Sequence, residues 1–138
     1  MSEAPIRKVG GIIIKGRRVL VNRGEEKDEP FVSPGGKVDW GETVEQALVR
    51  ELYEEHGIIV NPDDLEKFDE FEGQAATQPD RTVQIAAFLV NKFSGEPKPQ
   101  NETKEQKYLT SRVPSWIPVG SIMEHQIMPK LKEKDLID

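Results

Sequence analysis

Gly36–Ile58 reads GKVDWGETVEQALVRELYEEHGI, and it places three acids where a helix built only for stability would not. Thr43 can cap a first turn with its hydroxyl, and Gln46, three residues on, completes a capping box. Gly57 is a natural terminator. The apolar residues Val44, Ala47, Leu48 and Leu52 recur at helical spacing, so a helix over Thr43–His56 is predicted with that stripe toward the core. On it Glu51, Glu54 and Glu55 stand at i, i+3 and i+4, on one face and within reach of each other. Each like-charge pair costs roughly 0.2–0.5 kcal/mol. The last turn is also the negative end of the helix dipole, where cations are favoured. Glu51 continues the apolar stripe and is expected at the edge of the core.

Two readings follow. In the first, the face is an ordinary solvated one, with Arg50 pairing to Glu54 at i+4 and His56 serving as a C-terminal charge partner. Arg ahead of Glu is the weaker orientation, and one guanidinium does not neutralise three carboxylates. In the second, clustered carboxylate oxygens hold a hard divalent cation, Mg²⁺, Mn²⁺ or Ca²⁺, which turns the repulsion into attraction. Zinc is not indicated, because the chain has no cysteine and only two histidines, His56 and His125.

Outward from this helix the chain alternates between strand and turn signals. Val9–Ile14 and Arg18–Val21, separated by Lys15-Gly16-Arg17, read as a hairpin. The charged stretch Arg23–Pro30 is a surface loop, and Ser33-Pro34-Gly35-Gly36 excludes regular structure and asks for unusual backbone. After the breaker Asn61-Pro62-Asp63-Asp64, strands are predicted over Glu66–Phe71 and Thr82–Phe93. The second is too apolar on both faces to be an edge, hence central. Ser94–Lys104 is turn-rich, and Gln106–Thr110 is a short strand. Ile127, Met128 and Leu131 mark a terminal helix, expected to begin near Pro129 because proline disfavours continuity. Strands interspersed with two helices suggest an α/β fold, a mixed sheet covered on both faces.

At 138 residues the chain suits one domain, 1–138, which buries roughly 68% of its unfolded surface. The formal charge is −6, and Asp39–Glu55 alone, with six acids and one base, accounts for −5 of it. The acidity is therefore one helix and its leading loop, and long nucleic acid is not an expected partner. Without cysteine there is no disulfide framework, thiolate metal site or cysteine nucleophile, which suits a reducing, cytoplasmic setting. No apolar run approaches the ~20 residues of a membrane span, and MSEAPIRK lacks a signal-peptide core. Nothing separates a monomer from a homodimer.

The same 23 residues strongly resemble the signature of the Nudix hydrolases, G-x5-E-x7-R-E-U-x-E-E-x-G-U with U apolar. Its positions are filled by Gly36, Glu42, Arg50, Glu51, Leu52, Glu54, Glu55, Gly57 and Ile58. Average composition gives odds on the order of 10⁻¹⁰ per starting position. The resemblance implies an α/β/α sandwich with a mixed β-sheet and a loop–helix–loop catalytic module. It also implies Mg²⁺- or Mn²⁺-dependent hydrolysis of a nucleoside diphosphate linked to another group. Carried over, Glu51, Glu54 and Glu55 are metal ligands, joined by a backbone carbonyl of Gly35 or Gly36. Arg50 orients the carboxylates, and Glu42 binds metal indirectly or braces the loop. Ions held there reverse the local sign for a pyrophosphate, polarise phosphoryl oxygens and activate water for attack on phosphorus. The base comes from the box or from a later loop, for which Glu102 is the candidate and Glu105 the rival.

The box defines the bond and not the substrate. Relatives resembling ADP-ribose hydrolases carry a proline about 15 residues beyond the box, and dinucleoside-polyphosphate hydrolases a tyrosine at about 16–18. Gly73, Gln74, Ala75 and Ala76 fill that region, and the proline- and tryptophan-rich string of NADH hydrolases is missing too. By default the reading is MutT-like: a nucleoside triphosphate, oxidised or not, cleaved to monophosphate and pyrophosphate. The alternatives are ADP-ribose, nucleotide-sugar or dinucleoside-polyphosphate hydrolysis, or a non-catalytic nucleotide sensor. A sensor typically loses a box carboxylate, and none is lost here. A purely structural acidic helix is the third class. Phe31, Trp40 and Phe71 are candidates for base stacking, Arg23 and Lys37 for phosphate contact, and Asp80-Arg81 for a substrate loop or a plain turn.

Overall fold

A computed structural model describes residues 4–26, 28–75, 78 and 80–138. Lys27 of the charged loop, Ala76 and the first three residues lie outside the described residues. A four-stranded mixed sheet has the order β4 (Gly35–Lys37), β1 (Ile6–Ile12), β6 (Thr82–Val90), β5 (Leu65–Gln74). β1 and β6 run parallel, and the two outer pairings are antiparallel. A smaller antiparallel sheet has the order β2 (Ile14–Lys15), β3 (Arg18–Arg23), β7 (Glu105–Leu109).

β6 is central, and its side chains show why that stretch is apolar throughout. Val83, Ile85, Ala87 and Leu89 pack into one core cluster, while Ala86, Phe88 and Val90 pack into another on the opposite face. Helix α1 (Val44–His56) covers the second cluster with Ala47, Leu48 and Leu52, each at 0% exposure. A C-terminal helix covers the first. The architecture is a mixed sheet between helical layers, the α/β/α arrangement predicted.

Three expectations need correction. The first apolar segment is not one arm of a simple hairpin. It breaks at Ile13, so β1 joins the larger sheet and only β2 pairs with β3, across a Gly16-Arg17 turn with both φ near +60°. Gly35-Gly36-Lys37 is not irregular but forms β4, antiparallel to β1. Gly35 still needs its missing Cβ, because at φ +141° that atom would fall 2.0 Å from the Val9 carbonyl oxygen. Finally, the C-terminal helix does not start at Pro129. A π-helical turn, Met123–Ile127, leads without a break into α2, Met128–Glu133. Met128 N–H bonds to the Met123 carbonyl, and this wider turn accommodates Pro129, which has no N–H and whose ring crowds the preceding turn.

Candidate active site

Both ends of α1 are built as the sequence predicts. Thr43 Oγ1 accepts from Gln46 N at 3.1 Å, Gln46 Oε1 accepts from Thr43 N at 2.9 Å, and Gly57 closes the helix at φ 70°. The helix presents Glu51, Glu54 and Glu55 toward β4 and the loop before β7. Arg50 organises their surroundings. Its guanidinium forks onto Glu42 at 2.8 and 2.9 Å, reaches Glu51 at 2.8 Å and Glu54 at 3.3 Å, and donates to the Lys37 carbonyl at 3.2 Å. Glu42 also accepts from Asp39 N at 2.9 Å, so it braces the loop leading into the helix. Its bond to Arg50 holds the Glu42 carboxyl below its ordinary range, and the same bond raises Arg50.

Glu55 stands in a different environment. Its Oε1 accepts from Gly35 N at 2.9 Å, and Asn22 lines the same cleft wall. Burial outweighs the Gly35 bond and the favourable amide of Asn22, and with Glu51 and Glu54 nearby it pushes the carboxyl up to about 8. Burial likewise raises Glu51, against the pull of Arg50. Two carboxyls that burial pushes toward the neutral form ionise readily only beside a cation, and Arg50 reaches Glu51 and Glu54 of the cluster. Among the described residues, no three acidic or histidine side chains converge tightly enough to hold an ion as they stand. Arg50 draws Glu51 and Glu54 outward while Glu55 turns in toward Gly35. The donors nonetheless fit a hard divalent ion, being carboxylate and carbonyl oxygens. Gly36 leaves the space that Glu51 needs, since a Cβ there would lie 2.7 Å from its carboxyl carbon.

The loop after β6 completes the site by capping α1. Gln100 N donates to the Glu55 carbonyl at 3.0 Å, Gln100 Nε2 to Tyr53 O at 2.7 Å, and Asn101 Nδ2 to Glu54 O at 2.6 Å. The orphan carbonyls of the helix end thus dock this loop, and Glu102 arrives beside Glu51, Glu54 and Glu55 around a common depression. Glu105 does not. It sits on β7 with Arg23 at 2.7 Å and Lys107 at 3.5 Å.

Glu55 and Glu102 also line a cleft of about 530 Å³ whose walls carry Lys8, Arg23 and Lys104. That volume suits a nucleotide-sized ligand. An apolar slot lined by Val83, Ile85, Ile122 and Met123 shares Lys8, Val32 and Gly35 with the cleft. Sequence reading missed Lys8, Lys104, Asn22 and Asn101, which nothing local marks.

Several predicted contacts are corrected. Phe31 and Phe71 are not at the mouth; they are 1% and 8% exposed and belong to the core beneath the C-terminal helix. Burial closes stacking on a base to them, and the Phe31 ring is already covered by the Arg23 guanidinium. Of the three aromatics only Trp40 is exposed, fully so. Arg23 lines the cleft, but its guanidinium lies 4.4 Å over the Phe31 ring and is paired with Glu105. Lys37 is exposed on β4 and lines neither cavity. Arg81 donates to the Ala4 carbonyl and its N–H closes a turn on Gln78, so Asp80-Arg81 is a turn. His56 is no charge partner for the dipole: it is buried at 1% exposure, and burial pushes its imidazole below the usual range.

Comparison with known proteins agrees with this geometry. Residues 4–134 match the model of the NUDIX domain. Over 102 residues the chain is 41% identical to an 8-oxo-dGTP diphosphatase of Haemophilus influenzae, an alignment covering 70% of this chain and 71% of that protein. It is 35% identical over 112 residues to an ADP-ribose pyrophosphatase of Methanocaldococcus jannaschii, covering 75% of this chain and 61% of the other. The crystal structure of the MutT protein from Methanosarcina mazei superposes with a TM-score of 0.74 at 17% identity, covering 98% of this chain and 99% of that one, and shows the shared fold. The chain belongs to the Nudix family. With its box carboxylates complete, it is a Nudix pyrophosphohydrolase acting on nucleotides, of a family that generally uses divalent metals. Among the described residues no helix is long and apolar enough to cross a membrane.

Proposed function

We propose that this protein, as a single domain over 1–138, hydrolyses a nucleoside triphosphate to the monophosphate and pyrophosphate in the cytoplasm. The observation that carries the reading is the cleft itself, in which the box carboxylate Glu55 and the loop acid Glu102 share a lining with Lys8, Arg23 and Lys104, beside Glu25 and Glu29. Glu51, Glu54, Glu55 and a carbonyl of Gly35 or Gly36 are the oxygen donors for Mg²⁺ or Mn²⁺, with Glu42 acting indirectly. The bound ion supplies charge neutralisation of the polyphosphate and acidifies water.

The remaining steps belong to the chain's own residues. Arg50 holds Glu51 and Glu54 in place through charge-assisted bonds. Lys8 and Lys104 draw in the phosphates, and the apolar slot beside Gly35 offers the base a dry surface. Glu102, or Glu54 from the box, takes a proton from the attacking water as its oxygen bonds to phosphorus. The bridging P–O bond breaks, and the leaving phosphate departs with its electron pair. No covalent intermediate with the protein forms. The relative named an 8-oxo-dGTP diphosphatase supports the triphosphate reading, with an oxidised purine as the substrate to try first.

A second reading, ADP-ribose hydrolysis, is favoured by the relative named an ADP-ribose pyrophosphatase. Turnover of nucleoside triphosphates, 8-oxo-dGTP, ADP-ribose, dinucleoside polyphosphates, NADH and nucleotide sugars, each with Mg²⁺ and Mn²⁺, separates the two. The best reaction run in ¹⁸O water identifies the phosphorus attacked. Failure of every substrate with both ions refutes hydrolysis.

A further inference from the structure

Asn22 and Gln106 face each other across β3 and β7, and both reach the same imidazole, that of His56 at the end of α1. Gln106 Oε1 lies 2.9 Å from His56 Nδ1, and Asn22 Nδ2 lies 2.8 Å from Nε2. His56 and Asn22 are buried, at 1% and 4% exposure. Buried polar groups need partners, and here the partners settle where the hydrogens are. Gln106 Nε2 donates to the Pro97 carbonyl at 3.0 Å, so the glutamine must turn its oxygen to the ring. His56 Nδ1 therefore carries a hydrogen. Among the described residues no acid touches either ring nitrogen, and with the hydrogen on Nδ1 the buried ring's Nε2 accepts from Asn22. One hydrogen of the Asn22 amide remains, in the cleft wall that Asn22 shares with Glu55.

We propose that Gln106, His56 and Asn22 form a positioning relay that locks the Asn22 amide toward Glu55 and so holds that carboxylate ready to bind the divalent ion. The inference rests on the reading of Glu55 as a metal ligand. Each link has one allowed direction of donation, so the orientation of Asn22 is imposed from Gln106 on β7. Were packing alone the purpose, an apolar residue at 56 would fill the space without a buried His–Asn pair.

The test is Mn²⁺ binding to the metal-free protein, followed by electron paramagnetic resonance, beside steady-state kinetics. Outer-shell partners of a ligand are typically worth 10- to 100-fold, so His56→Leu is expected to weaken Mn²⁺ by about that factor, with kcat falling and nucleotide KM nearly unchanged. His56→Gln, whose amide can accept from Asn22 and donate to Gln106, is expected to restore most of the affinity. Glu55→Gln is the reference. If it loses Mn²⁺ while folded His56→Leu keeps wild-type affinity, the relay is refuted and the metal reading stands. If Glu55→Gln binds Mn²⁺ as wild type does, both fall. Should His56→Leu not fold, Gln106→Met, at the half-exposed outer end, decides: about 10-fold weaker Mn²⁺ supports the relay and unchanged affinity overturns it. Nitrogen-15 NMR of the wild-type protein gives a further check, since the relay requires the Nδ1-protonated neutral ring, and an Nε2-protonated ring refutes it.

Discussion

The two faces of α1 are made by opposite rules. One carries Ala47, Leu48 and Leu52 at 0% exposure against β1, β3 and β6, where each leucine contributes roughly 1.5–3 kcal/mol by burial. The other gathers Glu51, Glu54 and Glu55, two of them with carboxyls raised by burial and all lying at the wrong end of the dipole. A single 13-residue helix thus stabilises the fold with one face and holds a destabilising cluster in place with the other. The acidic face is tolerated because the apolar face holds the helix in place.

Substitutions on the two faces should therefore separate activity from stability. The largest effect expected is on the acidic face: Glu54→Gln lowers kcat by about 10²- to 10³-fold, the scale of losing one electrostatic contact to the transition state. Its melting temperature stays the same or rises, because a like-charge repulsion is relieved; a clear drop in stability would show that the acidic face also supports the fold. On the apolar face Leu48→Ala costs about 2–5 kcal/mol in denaturant unfolding, while the folded fraction keeps its kcat.

A smaller effect is the pH dependence of the metal-free protein. Glu55 is raised from 4.5 to about 8 on folding, so between those values the native state holds a proton that the unfolded state has released. Stability is then lost as pH rises toward 8. His56, lowered on folding, acts in the opposite sense below its ordinary 6.5, so the clean window lies above that value. Melting temperature should fall as pH climbs from about 6.5 to 8 and recover when Mg²⁺ is added; a flat profile would show that Glu55 is not buried uncompensated. The smallest change is Thr43→Ala, which removes the cap and costs about 1 kcal/mol by denaturant titration, with activity per folded molecule unchanged.

The two helices differ equally in how far their sequences announce them. In α1 every signal is local: Thr43 and Gln46 at the start, Gly57 at the end, a stripe at 3.6-residue spacing. In the C-terminal helix, Ile122, Met123, Ile127, Met128 and Leu131 are all buried, yet Ile122 to Ile127 and Met123 to Met128 are five apart. A search at 3.6 brings Met123, Ile127, Met128 and Leu131 to one face and leaves Ile122 off it. The π-helical turn brings Ile122 round as well, and packing on the sheet carries the chain through Pro129, where local rules predict a start.

By itself the sequence determined what short-range chemistry can enforce: the capped helix, the carboxylates on one face, the glycines at its mouth, the central apolar strand, and with them the family. Tertiary structure alone decided which distant residues share the cleft. Lys8 on β1, Asn22 on β3 and Lys104 before β7 meet Glu55 only because two sheets and a docked loop bring them there. Phe31, Phe71 and His56 were drawn inward for the same reason, since burial depends on what covers a residue, and no window of sequence contains its cover.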